Sequence, residues 1–240
     1  MRITLAPFAP FAALAVLCAM TAGAAPAVAA TRNYTITSFD RIRVEGPYAV
    51  DVAVGRSSFA RATGDQRALD AVSLRVEGRT LYVRADRSAW GAGKREPGGR
   101  VTISVGTPEL SQAVINGAGS VAIDRLRGLE FTLLVSGSGA GSVGAADVDQ
   151  LRVSVIGAGT ARLVGRAKQF TAVIRGPGSI EAAALASNDA TLSALGPATI
   201  SANAGNSAKV TASGTASVAL TGRAACELKI SGSATVTGCR

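Results

Sequence analysis

One short motif recurs seven times at a nearly constant spacing, and it constrains the fold more than any other feature of the chain. The motif runs apolar-x-Gly-x-small-Ser/Thr-apolar, and residues 115–121 are its first clear copy. Its central glycines are Gly117, Gly137, Gly157, Gly176, Gly196, Gly214 and Gly232, so successive copies lie 18 to 20 residues apart. This period, without a leucine-rich consensus, is typical of a β-solenoid, in which each coil buries its apolar face only against neighbouring coils.

Side chains alternate around each central glycine with a period of two. The positions two, four and six residues before it are mostly apolar or small. The position five residues before it is polar in every copy: Gln112, Thr132, Arg152, Thr171, Thr191, Lys209 and Glu227. Apolar residues dominate again four and six positions after it. This alternation predicts two strands per copy with one buried face each, joined by a corner at the glycine. A turn such as residues 124–128 is expected to lead to the next copy.

The predicted corner restricts side-chain size. The central glycine can adopt a positive φ without a Cβ penalty. Two residues later only glycine or alanine occurs, and a larger side chain is not expected to fit between coils about 4.8 Å apart. The next position is mostly Ser or Thr, whose hydroxyls can bond to one another along the stack.

Residues 31–110 are related to the repeat but less regular. Residues 42–52 fit the template, and longer alternating segments follow them. Terminal repeats of a solenoid are usually atypical, because an open edge invites aggregation. The prediction is therefore an all-β chain, a parallel β-helix (β-solenoid) with coils of about 18–20 residues. An irregular N-terminal β region (31–110) precedes the seven repeats (111–240).

Residues 1–30 are predicted to be a signal peptide. Arg2 precedes an apolar run, and small residues follow that suit cleavage after Ala29 or Ala30. Cys18 follows Leu17, where a lipoprotein signal needs a small residue, so no lipid anchor is predicted. No later stretch is apolar enough for a transmembrane helix. The protein is expected to be exported, to the periplasm, the cell surface or the medium.

The charge balance and the cysteines leave alternatives open. Without Arg2 the chain has 24 basic against 16 acidic residues, a formal charge of +8. This balance suits an anionic partner such as envelope polysaccharide or lipopolysaccharide, or reflects only a solvated arginine-rich surface. Nucleic acid is not expected as a partner outside the cytoplasm. Cys226 and Cys239 form either a disulfide or two separate thiols.

The chain offers little catalytic chemistry. It has no histidine, which excludes His-based triads and His metal sites. Asp147 and Asp149 are the closest carboxylate pair in the repeats, and they are interpreted as solvated turn residues. The Gly-x-Gly-x-x-Gly pattern at residues 139–144 results from the repeat and precedes no predicted helix. No enzyme activity, metal or cofactor is predicted.

Residues 86–100 interrupt the alternation and contain the best candidate contact site: Trp90 with Lys94, Arg95 and Arg100. An indole face can stack on a sugar ring, and Arg binds phosphate or carboxylate groups. The alternative is a mobile basic loop whose tryptophan folds back onto the strands.

Four segments in this order resemble the head GIN domain family (DUF2807, auto-transporter adhesins): residues 39–46, 50–55, 76–81 and 115–121. The resemblance covers essentially the whole chain after residue 30. It implies a right-handed β-helical fold, an envelope or extracellular setting and no enzyme activity, and it transfers no agreed binding residues.

The favoured hypothesis is therefore a non-catalytic envelope protein, an adhesin or glycan-binding module. The alternative is a structural or regulatory periplasmic protein that binds another protein along a strand face or an exposed edge. Outward arginines such as Arg152, Arg162 and Arg175 would then mark the surface. A polysaccharide-active enzyme is less favoured, because no paired carboxylates recur in register.

Overall fold

The computed structural model describes residues 30–86 and 101–239. The predicted signal peptide, apart from Ala30, and the Trp90 segment lie outside these residues. The elements are β1 (Ala30–Tyr34), β2 (Arg41–Glu45), β3 (Ala49–Val54), β4 (Phe59–Gly64), α1 (Gln66–Asp70), β5 (Val72–Glu77), β6 (Thr80–Ala85), β7 (Val101–Thr107), β8 (Gln112–Gly117), β9 (Ser120–Ile123), β10 (Leu126–Gly137), β11 (Ala140–Gly157), β12 (Thr160–Arg175), β13 (Ser179–Leu195), β14 (Thr199–Gly214), β15 (Ser217–Gly222), β16 (Ala225–Gly232) and β17 (Thr235–Thr237). None of the helices in the described ranges is long and apolar enough to span a bilayer.

Successive repeats form the coils of a β-solenoid, as predicted. Equivalent residues pair in parallel from coil to coil, for example Val135 with Val155 and Val155 with Ile174. The stack has about six turns of about 20 residues. Its core is a continuous column of buried Val, Ile, Leu and Ala with a few phenylalanines. The right-handed sense of the coil stays a prediction.

Each coil contains a third strand segment where the sequence predicts a turn. Leu126 begins β10, is buried and pairs with Ala146 of the next coil. β11 likewise runs without a break from Ala140 to Gly157 and includes Asp147 and Asp149, which are therefore strand residues and not turn residues. The prediction of two strands and a turn was wrong here, because small inward residues such as Ala146 give the third segment little apolar contrast.

The corners have the predicted geometry. All seven central glycines have a positive φ, and so does Gly46 between β2 and β3. Two residues after the corner, a Cβ added to Gly139 would lie 2.6 Å from the carbonyl oxygen of Gly119. The equivalent distance from Gly159 to the oxygen of Gly139 is 2.9 Å. Stacked backbones therefore exclude side chains from these corners. The last three coils have alanine at this position.

The N-terminal end of the stack is closed by antiparallel strands. β2 lies between β6 and β8, and β3 lies between β7 and β9, all in parallel. Beyond them β5 pairs antiparallel with β6, and β4 pairs antiparallel with β7 and β1. The short helix α1, whose N-cap is Asp65, packs against this end. The reversal of strand direction protects this end from adding another parallel coil.

The C-terminal end is built differently. In the part of the chain that the structure describes, β16 and β17 pair only with the preceding strands β14 and β15. The inward-facing Leu228 and Ile230 are 44% and 46% exposed, because within the described residues no further coil covers them. Cys226 and Cys239 form a disulfide with Cα atoms 5.8 Å apart, which ties the start of the last coil to its end.

Candidate functional site

A shallow trough crosses the outer face of the solenoid near its N-terminal end. One register column on β7, β3, β9, β11 and β12 consists of Ser104, Asp51, Ala122, Ser142 and Arg162. The floor consists of small residues from three successive strands of the sheet, β3, β9 and β11: Ala53, Ala122, Ser142 and Gly144. The trough has a volume of about 510 Å³. It exists because outward positions that are charged or bulky elsewhere are small in these coils.

Two exposed apolar side chains bound the trough. Phe59 of β4 pairs with Gly106 of β7, and a Cβ added to Gly106 would lie 2.4 Å from the phenyl ring. The ring therefore lies directly on the glycine backbone, an arrangement that protects a glycine in a sheet. Phe59 nevertheless remains 41% exposed. Val164 of β12, which is also partly exposed, contributes to the opposite end.

The charged groups of the trough differ in their availability. Asp124 is occupied, because its Oδ1 accepts hydrogen bonds from the amides of Val54 (2.9 Å) and Arg125 (2.6 Å). Arg162 donates to Glu181 at 2.5 Å. Asp51 is exposed and has no ion pair or hydrogen bond from another side chain in the described residues. It is therefore the carboxylate that a ligand in the trough can use.

The trough thus combines an exposed aromatic ring, a free carboxylate and the hydroxyls of Ser104 and Ser142. An aromatic face packs on the apolar face of a sugar ring, and a carboxylate accepts hydrogen bonds from hydroxyl groups. The described residues gather no cluster of three or more His, Cys, Asp or Glu that would hold a metal ion.

The sequence proposes two sets of site residues, the Trp90 segment and the outward arginines of the repeats. Trp90, Lys94, Arg95 and Arg100 lie outside the described residues, so their role stays a prediction. Of the outward arginines, Arg152 donates to Glu130 at 2.6 Å and Arg162 to Glu181. Arg175 is exposed at the end of β12 and pairs with Ile156 of β11. Ion pairs thus occupy two of these three guanidinium groups.

Asp147 and Asp149 are each paired with a cation of the next coil. Arg166 donates to both carboxylate oxygens of Asp147, at 2.7 and 2.9 Å, and Lys168 lies 2.8 Å from Asp149. The Arg166 hydrogen bonds hold the pKa of Asp147 below its ordinary value, against a small opposing effect of burial. Both carboxylates therefore form ion pairs between adjacent coils. This pairing accounts for the presence of two acidic residues so close together in the sequence.

We expect Arg166→Gln to raise the pKa of Asp147 towards its ordinary value, as measured by NMR titration of the carboxyl carbon. The stability that this ion pair contributes is fully present above the pKa of Asp147 in the unfolded chain. It is lost as pH falls through the lower pKa of Asp147 in the folded protein. Lys168→Met removes a neighbouring cation that pairs with Asp149, and it should leave the Asp147 titration almost unchanged. Equal shifts in both variants would contradict the specific role of Arg166.

Phe59 and Asp51 are not recognisable as site residues from sequence. They lie on separate strands. Asp51 meets Ser104 and Ala122 because β3 inserts between β7 and β9, and Phe59 reaches the trough because β4 pairs with β7. The available signal is the run of small outward residues at Ala122, Ser142 and Gly144, which predicts a depression but not its walls.

A family model described as "Putative auto-transporter adhesin, head GIN domain" (DUF2807) matches residues 38–224. A crystal structure of a "putative adhesin" from Bacteroides fragilis has a TM-score of 0.75 at 21% identity, over 87% of this chain and 95% of its own. A "putative lipid binding protein" from Parabacteroides distasonis has a TM-score of 0.68 at 18% identity, over 88% and 97%. A "putative adhesin" from Parabacteroides merdae has the same score and identity, over 88% and 96%. At these identities the likeness is one of fold. No curated protein matches the chain significantly.

Proposed function

This chain belongs to the head GIN domain family (DUF2807), and from that premise we propose that it is an exported, non-catalytic adhesin domain that binds an envelope glycan in the trough. The observation that carries the proposal is the exposed Phe59 ring beside the free carboxylate of Asp51. The trough volume of about 510 Å³ lies within the range of roughly 300–1,000 Å³ that is usual for small-ligand sites.

The carboxylate of Asp51 favours a sugar over an acyl chain as the ligand of the trough. One structural relative is described as a lipid binding protein, and the trough walls are apolar enough to raise the same possibility for this chain. However, Asp51 and Ser142 also line the trough. Covering a carboxylate with an acyl chain would remove its hydration without supplying a hydrogen-bond donor. A hydroxylated ring offers both an apolar face for Phe59 and donors for Asp51.

Export is supported by the first thirty residues and by the position of the first strand. A basic start, an apolar run and small residues before Ala30 have the composition of a signal peptide. β1 begins at Ala30 and pairs with β4 through Gly64. Cleavage after Ala29 would therefore leave every described strand whole.

Binding of the purified protein to a panel of envelope polysaccharides and lipopolysaccharides tests the proposal. We expect Phe59→Ala and Asp51→Asn each to weaken binding about tenfold, the effect of losing one aromatic contact or one charged hydrogen bond. Leu129→Ala is the matched control, because Leu129 is 78% exposed and does not line the trough.

Three results would contradict the trough as the site. These are no retention on any glycan, retention that both variants leave unchanged, and loss of binding in Trp90→Ala alone. The last result would assign the contact to residues 87–100. Preferential binding to phospholipid vesicles without sugar headgroups, lost in Phe59→Ala, would identify the ligand as a lipid instead.

A further inference from the structure

At the C-terminal end of the solenoid, the strand β16 has exposed apolar side chains and, within the described residues, one edge without a partner strand. Leu228 and Ile230 pair with Val210 and Ala212 of β14, which are fully buried in the same two columns. Each coil before the last is covered by its successor, whereas Leu228 and Ile230 are covered on one side only. The name C-terminal edge is used here for β16, residues 225–232.

The backbone of the C-terminal edge has free hydrogen-bonding groups. In the interior coils the corner amides donate to the next coil, from Gly176 to Leu195 (3.1 Å) and from Gly196 to Ser213 (3.0 Å). Alternate residues of a strand direct their amide and carbonyl groups to opposite sides. Gly232 holds the same corner position as Gly176 and Gly196, whose amides point to the next coil. Leu228 and Ile230 lie four and two residues before Gly232, so their amide and carbonyl groups also point away from β14. Within the described ranges, no strand accepts them.

The charges on the outer face of this strand are self-complementary. Glu227 and Lys229 flank Leu228, and both face solvent. If two copies of β16 pair antiparallel with Leu228 opposite Leu228, Glu227 of each copy lies opposite Lys229 of the other. Opposite charges stabilise a cross-strand pair, and like charges facing each other destabilise it.

Charge selects this register among the alternatives. If one strand slides by two residues along the other, Glu227 comes to lie opposite Glu227. A shift of two residues in the other direction places Lys229 opposite Lys229. The favoured register also uses nearly all of the strand. Ala225 lies opposite Ser231 and Cys226 lies opposite Ile230, and each of these pairs occurs twice because the arrangement is symmetric. Because facing residues must lie on the same side of a sheet, intermediate registers are excluded.

We propose that the C-terminal edge is a homodimer interface in which two copies of β16 pair antiparallel about a twofold axis at Leu228. Such an interface is isologous, because the same patch serves both copies. It covers Leu228 and Ile230 and satisfies their free backbone groups. Glu227, which already accepts from Lys209 at 3.0 Å, gains a second cation, and Lys229 gains a carboxylate.

The test is the oligomeric state of the full chain by sedimentation velocity over a range of concentrations. We expect a dimer for the unchanged protein. Lys229→Glu should weaken the dimer about 25-fold, because two symmetric pairs each become repulsive at a cost of about fivefold. Arg56→Glu is the matched control: it reverses one exposed charge of the described N-terminal region and should leave the dimer intact.

A charge-inverted variant distinguishes pairing from misfolding. Lys209→Glu, Glu227→Lys and Lys229→Glu together preserve the contact within the chain and the proposed contacts between copies, with all signs reversed. The triple variant should dimerise with itself, and native mass spectrometry should find almost no mixed dimer with the unchanged protein. In a mixed dimer, one of the two cross-strand pairs would join two carboxylates and the other would join two ammonium groups.

Several outcomes would overturn the proposal. A protein that stays monomeric at all concentrations does not use this edge for a second copy. A dimer that is insensitive to Lys229→Glu forms through another surface. Free mixing of the unchanged protein and the triple variant would exclude the antiparallel register. None of these results bears on glycan binding in the trough, which lies near the other end of the stack.

Discussion

Gly157→Ala will lower the free energy of unfolding by about 3 kcal/mol, the sum expected for a strained φ and a steric overlap with backbone. Gly157 has a φ of 104°, which an L-residue rarely adopts. A Cβ at this position would lie 2.7 Å from the carbonyl oxygen of Gly137 in the coil below. The backbone on both sides is held in register by parallel pairing, so neither coil can move aside without losing hydrogen bonds.

Gly205→Ala is the control for this substitution. Gly205 is exposed, has no positive φ, and its added Cβ would come no closer than 3.6 Å to the carbonyl oxygen of Ser187. We expect this change to be neutral or slightly stabilising, because alanine restricts the unfolded chain. Equilibrium unfolding in denaturant measures both variants. Equal stability of Gly157→Ala and the unchanged protein would show that the corner relaxes and does not require glycine.

The repeat predicts the corner and the inward columns because stacking makes them local rules. Every coil meets the same neighbours, so a restriction at Gly139 recurs at Gly159 and is visible as a position that holds only glycine or alanine. The third strand segment has no such marker, since its inward positions include Ala146 and Ala167, which differ little from turn residues in hydropathy. Its regularity comes from pairing with adjacent coils and not from its own composition.

The trough is predictable only after the strand order is known. Asp51 and Ala122 are about seventy residues apart in the chain and face each other because β3 inserts between β7 and β9. Nothing in the local sequence of either strand signals this insertion.

The ion pairs between coils are likewise predictable only once the strand register is known. When β11 and β12 are aligned in register, Arg166 lies beside Asp147 and Lys168 lies beside Asp149. Each cation next to a carboxylate avoids the repulsion that a column of like charges would cause.

Phe170→Ala will lower the free energy of unfolding by about 4 kcal/mol, a typical cost for deleting a buried phenyl ring. Phe170 of β12 is 1% exposed and lies in one register column with Leu151 and Phe131, which are fully buried. Phe131 and Phe170 are two of the few aromatic side chains in a core built mainly of Val, Ile, Leu and Ala. Phe170→Leu is the matched variant, because Leu151 shows that the column accepts leucine, and it should cost much less.

The location of the damage tests how the solenoid is held together. Each coil contacts only its neighbours, so stability is approximately a sum of coil and interface contributions. Amide hydrogen exchange in Phe170→Ala should therefore accelerate most in β11, β12 and β13, while β15 to β17 and the N-terminal strands β1 and β4 change little. Uniform acceleration would show that the chain unfolds as one cooperative unit. Because β11 and β12 also supply Ser142 and Arg162 to the trough, a local opening should weaken a trough ligand even though Phe170 never contacts it.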